Sequence, residues 1–149
     1  MLIDRLGRRA LLLISEILMV IALVSLGTYF YIRDNDLETA LTLPWLPVTS
    51  LIVFIAGFSI GLGPIPWLMM GELVPERVKG PATSAATFFN WGLAFAVTLS
   101  FNSLKQALTD AGAFWFFAAI CSLATLFCGF IVPETKGKTS AEIQANFGN

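Results

Sequence analysis

GFSIGLGPIPWLMMGELVPERVKG, residues Gly57 to Gly80, starts inside a long apolar run and then interrupts it. Gly61, Gly63, Pro64 and Pro66 break the run, Trp67 follows, and a charged segment closes it. Each proline removes a backbone donor and clashes with the carbonyl four residues back. In lipid nothing supplies the missing partners, so this stretch must face protein or a water-filled cavity. A hydrophobic span broken by glycine and proline points to a solute site in a membrane protein. A plain proline kink between packed helices is the simpler alternative. The paired prolines with flanking glycines favour a hinge beside a cavity.

Composition fits that reading. Of the 149 residues, 56% are hydrophobic and only 13% charged, and the mean hydropathy is +0.78. This is too apolar for a soluble domain of such length. The net charge of -1 leaves no general field for nucleic acid. Histidine is absent, which removes the commonest general base and metal ligand. There is no nucleophile–base pair, metal cluster or phosphate loop, so the reading is of a non-enzyme without cofactor or metal. Cys121 and Cys128 lie two helical turns apart, roughly 10 Å, too far for a disulfide.

A bilayer core needs about 20 apolar residues per helix. Four segments qualify, about 10–32, 46–70, 81–104 and 113–132, with a polar tail over 133–149. The expected fold is therefore all-α, with four transmembrane helices. Four spans place seven of the nine Lys and Arg residues on one side, leaving only Arg33 and Lys105 on the other. The positive-inside rule then makes both termini cytoplasmic.

The first span is Leu, Ile, Val and Ala with little polarity, and it reads as lipid-facing. Its acid, Glu16, sits about 9 Å deep. At a bilayer centre an acid costs roughly 2.5–3.5 kcal/mol, so an interfacial or paired acid is favoured over a proton carrier. Tyr29, Phe30 and Tyr31 form an aromatic belt at the outer end. In the second span, Gly57 and Gly61 make a small-xxx-small face for close helix approach. Trp67 is either a belt tryptophan or an apolar platform with one N–H donor. Asn90, in the third span, needs partners for its amide. Interhelical bonding and substrate contact are both open. The fourth span resembles the first and reads as an outer helix.

Asp4 to Arg9 (DRLGRR), Gly63 to Trp67 (GPIPW), Gly71 to Gly80 (GELVPERVKG), Asn90-Trp91 and Val132 to Thr139 (VPETKGKT) resemble the sugar porter family of the major facilitator superfamily. The wording is most similar to the insect facilitated trehalose transporters within it. The resemblance implies spans nine to twelve of a twelve-span transporter, with the N-terminal eight spans missing. It implies facilitated transport of trehalose or a hexose by alternating access, in a multi-pass protein of the plasma membrane. The partners implied are the sugar and the lipid bilayer. A truncated, non-transporting membrane protein or partner-binding fragment is the alternative.

By the same resemblance, Trp67, Asn90, Trp91 and Ser59 are the substrate-binding candidates. Ser59 stands where several relatives carry a sugar-binding glutamate. Gly61, Gly63, Pro64 and Pro66 would form the hinge or gate. Arg5, Arg8, Arg9, Glu72, Arg77, Lys79 and Glu134 would form a cytoplasmic charge network, with Lys79 in place of the family's usual arginine. In that network Arg8 and Arg9 are expected to pair with acids of the Glu72 kind.

Overall fold

The computed structural model describes residues 7–132, without the side chains of Glu72 and Leu73. These residues form α1 (Arg8–Asn35), α2 (Leu37–Leu41), α3 (Trp45–Ile60), α4 (Ile65–Leu73), a 3-10 turn (Glu76–Val78) and α5 (Lys79–Phe130). Three helical segments, Arg8–Asn35, Trp45–Gly71 and Glu76–Phe130, are long and apolar enough to cross a membrane. The sequence led to an expectation of four.

The last segment is bent. Thr109 has φ 68 and ψ 169, outside helical space. A straight helix would hold residues 101 and 117 about 24 Å apart. Instead the Phe101 ring lies 6.2 Å from Phe117 and 6.3 Å from Phe114. The chain therefore turns back at Thr109, inside the loop expected over 105–112, and forms two packed arms. The Gly112 amide donates to Thr109 Oγ1 at 3.3 Å, an N-cap for the second arm. The backbone strain of a β-branched residue here is on the order of 1–3 kcal/mol. The cap lost on going to glycine is worth only about a few tenths. Thr109→Gly is thus expected to raise the thermal midpoint in detergent, and a lower midpoint would show that the cap outweighs the strain.

α1 corrects the expectation of a plain lipid-facing first span. Its residues Leu11, Ser15, Met19, Ala22, Leu26 and others at helical spacing are buried. One side packs on α3 and the other on the arm after Thr109. A Cβ on Gly61 would stand 2.3 Å from Ser15 Cβ and 2.8 Å from the Leu11 carbonyl. The small-residue face of the second span is therefore the seat of α1. At the far end, a Cβ on Gly27 would meet the Trp115 ring at 2.5 Å. Beside it Phe30 stacks on Phe114 at 5.1 Å, and Tyr31 lies 5.8 Å from Trp115. Two of the three belt aromatics thus pack between helices.

Charges tie α1 to the same arm at both ends. Asp110 accepts from Arg33 at 2.8 Å and pairs with Lys105 at 2.9 Å. The Arg33 guanidinium also sits 4.6 Å over the Phe30 ring. At the opposite end Arg9 donates to the Gly129 carbonyl. Between α1 and α2, the exposed Asp36 caps α2. Hydrogen bonds from the Thr39 hydroxyl and amide hold its carboxyl below the usual carboxylate range.

Glu16 is matched to no arginine among the described residues. It is 1% exposed. Its Oε1 accepts from the Cys128 thiol at 3.0 Å, while Oε2 has no partner among the described residues. An unsatisfied buried polar group costs about 1–3 kcal/mol. Glu16→Met keeps the length and removes that cost. The expected result is an unchanged or higher thermal midpoint in detergent, and a clear fall would mean that Glu16 has a stabilising partner.

Candidate functional site

The expected hinge is a true break. α3 ends at Ile60 and α4 begins at Ile65. Pro64 is the N-cap of α4 and Pro66 lies in its first turn, where a helix needs no backbone N–H. Freed backbone groups find three local partners. Gly63 N–H donates to the Phe58 carbonyl at 2.8 Å, Ile65 N–H to Gly61 at 3.0 Å, and Leu68 N–H to Pro64 at 3.2 Å. The remaining partner comes from α1. The Ser15 hydroxyl donates to the Gly57 carbonyl at 2.7 Å and accepts from the Leu62 amide at 3.1 Å.

α4 is oriented by its inner face. Ile65 is 0% exposed and joins Leu11, Leu12 and Met69 in a small core. That leaves Trp67, two residues on, turned away from the core and 42% exposed. Trp67 lines a cavity of about 360 Å³ together with Met19, Phe58, Leu62, Pro66, Met70, Ala86 and Asn90. Its volume lies at the lower end of small-ligand pockets. The lining is mostly apolar. The polar side-chain groups among its lining residues are the indole N–H of Trp67 and the amide of Asn90, which supplies two donors and an acceptor. Asn90 is exposed and makes no hydrogen bond among the described residues. The interhelical bond left open by the sequence is absent here, so the amide is available to a ligand.

Trp67 and Asn90 thus meet at one cavity. The other two substrate candidates do not join them. Trp91 is 69% exposed and lies off the cavity. The Ser59 hydroxyl donates to its own helix at Ile55, at 2.8 Å.

Arg9 binds the Gly129 carbonyl, and Lys79 pairs with Glu76 at 2.6 Å on the surface. Arg77 is exposed, and Arg8 is half-buried at the start of α1. Glu72 stands in the last turn of α4. Arg5, Glu134 and the tail over 133–149 lie outside the described residues. Sequence reasoning missed Ser15, Met19 and Glu76. The available signal for Ser15 was a small polar residue in an otherwise apolar span, one turn from Leu11 and from Met19.

A family model described as "Sugar (and other) transporter" matches residues 1–147. The chain belongs to this family. It is a family of transporters rather than enzymes. Among curated relatives, the facilitated trehalose transporter Tret1 of Polypedilum vanderplanki is 49% identical over 143 residues, covering 96% of this chain and 28% of that protein. The facilitated trehalose transporter Tret1 of Bombyx mori is 49% identical over 144 residues, covering 97% of this chain and 28% of its own length. Among solved structures, the inward-open xylose transporter XylE from E. coli superposes with a TM-score of 0.84 at 29% identity. That match covers 98% of this chain and 31% of XylE. The chain spans under a third of the length of the relatives it matches. Family membership and the apolar helices together make this a multi-pass membrane protein.

Proposed function

We propose that this chain forms part of a sugar transporter that moves trehalose or a hexose down its gradient by alternating access, in the plasma membrane. One observation carries the reading: Trp67 and Asn90 line one cavity beside a helix break. A neutral, hydroxyl-rich solute needs donors, acceptors and an apolar platform, and this edge offers all three without a fixed charge. The break over residues 61–64 is the natural hinge.

The rest of the site would come from further spans, since the relatives are more than three times as long as the match. The arm before Thr109 leaves Phe88, Phe89, Trp91 and Phe95 exposed at 66–75%. We place Trp91 and Ser59 on surfaces that those spans would cover. The turn at Thr109 supports four spans. So does the charge distribution, with Arg33 and Lys105 on Asp110 at one end and Arg9 at the other. With the arginine-rich end inside, both termini are cytoplasmic. Arg5, Arg8, Arg9, Glu72, Arg77, Lys79 and Glu134 then lie on the cytoplasmic face. There they would weight the balance between the two access states.

The cavity is only partly enclosed, which favours a second expectation: the chain alone does not transport. The test is uptake of radiolabelled trehalose and glucose into liposomes. Vesicles with the complete transporter should equilibrate one of these sugars without a proton gradient, and vesicles with this chain alone should not. No uptake of either sugar by the complete transporter would overturn the proposal.

A further inference from the structure

We infer that Ser15 is a positioning residue for the sugar cavity, its hydroxyl bridging the two sides of the α3–α4 break. The inference rests on the sugar-site reading above and adds a residue that does not itself line the cavity.

The hydrogen bonding of the break calls for such a group. In a regular helix the Leu62 amide would donate to the Phe58 carbonyl. Here the Gly63 amide takes that carbonyl at 2.8 Å, one residue out of step. The Leu62 amide is displaced, and in an apolar setting it must find another acceptor. On the other side, Gly57 lies in the last turn of α3, whose carbonyls have no intrahelical donors. A hydroxyl is suited to this pair, since it donates once and accepts at the same time. Ser15 does both, at 2.7 Å to Gly57 and 3.1 Å from Leu62, and is 0% exposed. The absence of a side chain at Gly61 lets it come near enough: a Cβ there would stand 2.8 Å from Ser15 Oγ.

The consequence reaches the cavity through two residues. Leu62 and Phe58 both line it beside Trp67. The first is held by the Ser15 bond, and the second gives its carbonyl to Gly63 because Leu62 has been drawn away. Met19, one turn along α1 from Ser15, lines the same cavity. α1 therefore sets the shape of one wall, and any shift of α1 against α3 would be passed to Phe58 and Leu62.

The test uses the complete transporter in lipid vesicles, as wild type, Ser15→Ala and Ser15→Cys. Hydrogen–deuterium exchange reads the Leu62 amide, and sugar uptake separates KM from kcat. Ser15→Ala is expected to speed exchange at Leu62 at least tenfold and to raise KM several-fold. Ser15→Cys keeps a weak donor and acceptor and should recover part of both. If Ser15→Ala does not reach the membrane, Ser15→Cys still reads exchange and KM, with a smaller change in the same direction. Exchange at Leu62 within twofold of wild type in both variants would overturn the bridge. Faster exchange with an unchanged KM would overturn the link to the sugar cavity. Failure of the sugar reading looks different, since wild type itself would then take up no sugar.

Discussion

Trp67→Ala in the complete transporter is expected to cut uptake at sub-saturating sugar at least tenfold while leaving folding nearly intact. The two effects separate because of where the residue sits. Trp67 is 42% exposed, whereas its neighbours Ile65 and Met69, at 0% and 7%, carry the packing of α4. Truncating a half-exposed side chain away from the core costs stability of about 1 kcal/mol or less. For a ligand the same ring is the largest side chain lining the cavity, and its N–H is one of two polar side-chain groups among the lining residues. Truncation of a tryptophan anchor in a binding site commonly costs about 2 kcal/mol or more, which is more than tenfold in affinity. Trp67→Phe keeps the ring face and loses the donor, so it should fall between. Uptake kinetics normalised to surface expression check this. Equal kinetics for Trp67→Ala and wild type would remove Trp67 from the site.

Gly61→Val is expected to have the largest effect on the fold. Even the first atom of a side chain there would lie 2.3 Å from Ser15 Cβ and 2.8 Å from the Leu11 backbone oxygen. A side chain tip can rotate away, but a backbone oxygen and a Cβ cannot, so α1 itself must move. Overpacking of this kind costs about 1–3 kcal/mol and more where backbone shifts. The move would also break the Ser15 bridge. Gly57→Ala is milder, with first contacts at 3.1 Å. Gly71→Ala, with no atom within 4 Å, is the control and should be neutral or slightly stabilising. Thermal unfolding in detergent checks the series. The expected order of midpoints is Gly71→Ala highest, then Gly57→Ala, then Gly61→Val. A Gly61→Val protein as stable as wild type would refute the close approach of α1.

The parts of the fold legible in the sequence are those with local chemistry. Gly61 to Pro66 announced the break because glycine and proline act on their own backbone. The reversal near Thr109 was legible as a polar gap between apolar runs. Trp67 and Asn90 were both named as candidates by the family resemblance, and they meet at one cavity.

The role of α1 was not legible, and the reason is physical. In a water-soluble helix the buried face differs from the exposed face in polarity. In lipid both surroundings are apolar, so a run of Leu, Ile and Ala gives no sign of which face meets protein. The pairing of Gly27 with Trp115, of Glu16 with Cys128 and of Ser15 with the break each joins residues distant in sequence. Only the small or polar identities of Ser15, Glu16 and Gly27 hinted at them. Lys79 shows the converse. Its partner Glu76, at i,i+3, lies in the same charged segment and was open to a local reading.

A sugar site at Trp67 and Asn90 can be seen in a structure of the complete transporter with trehalose or glucose bound. The expected result is a sugar ring within about 4 Å of the Trp67 face, with a hydroxyl about 3 Å from the Asn90 amide. Sugar bound with neither contact would contradict it.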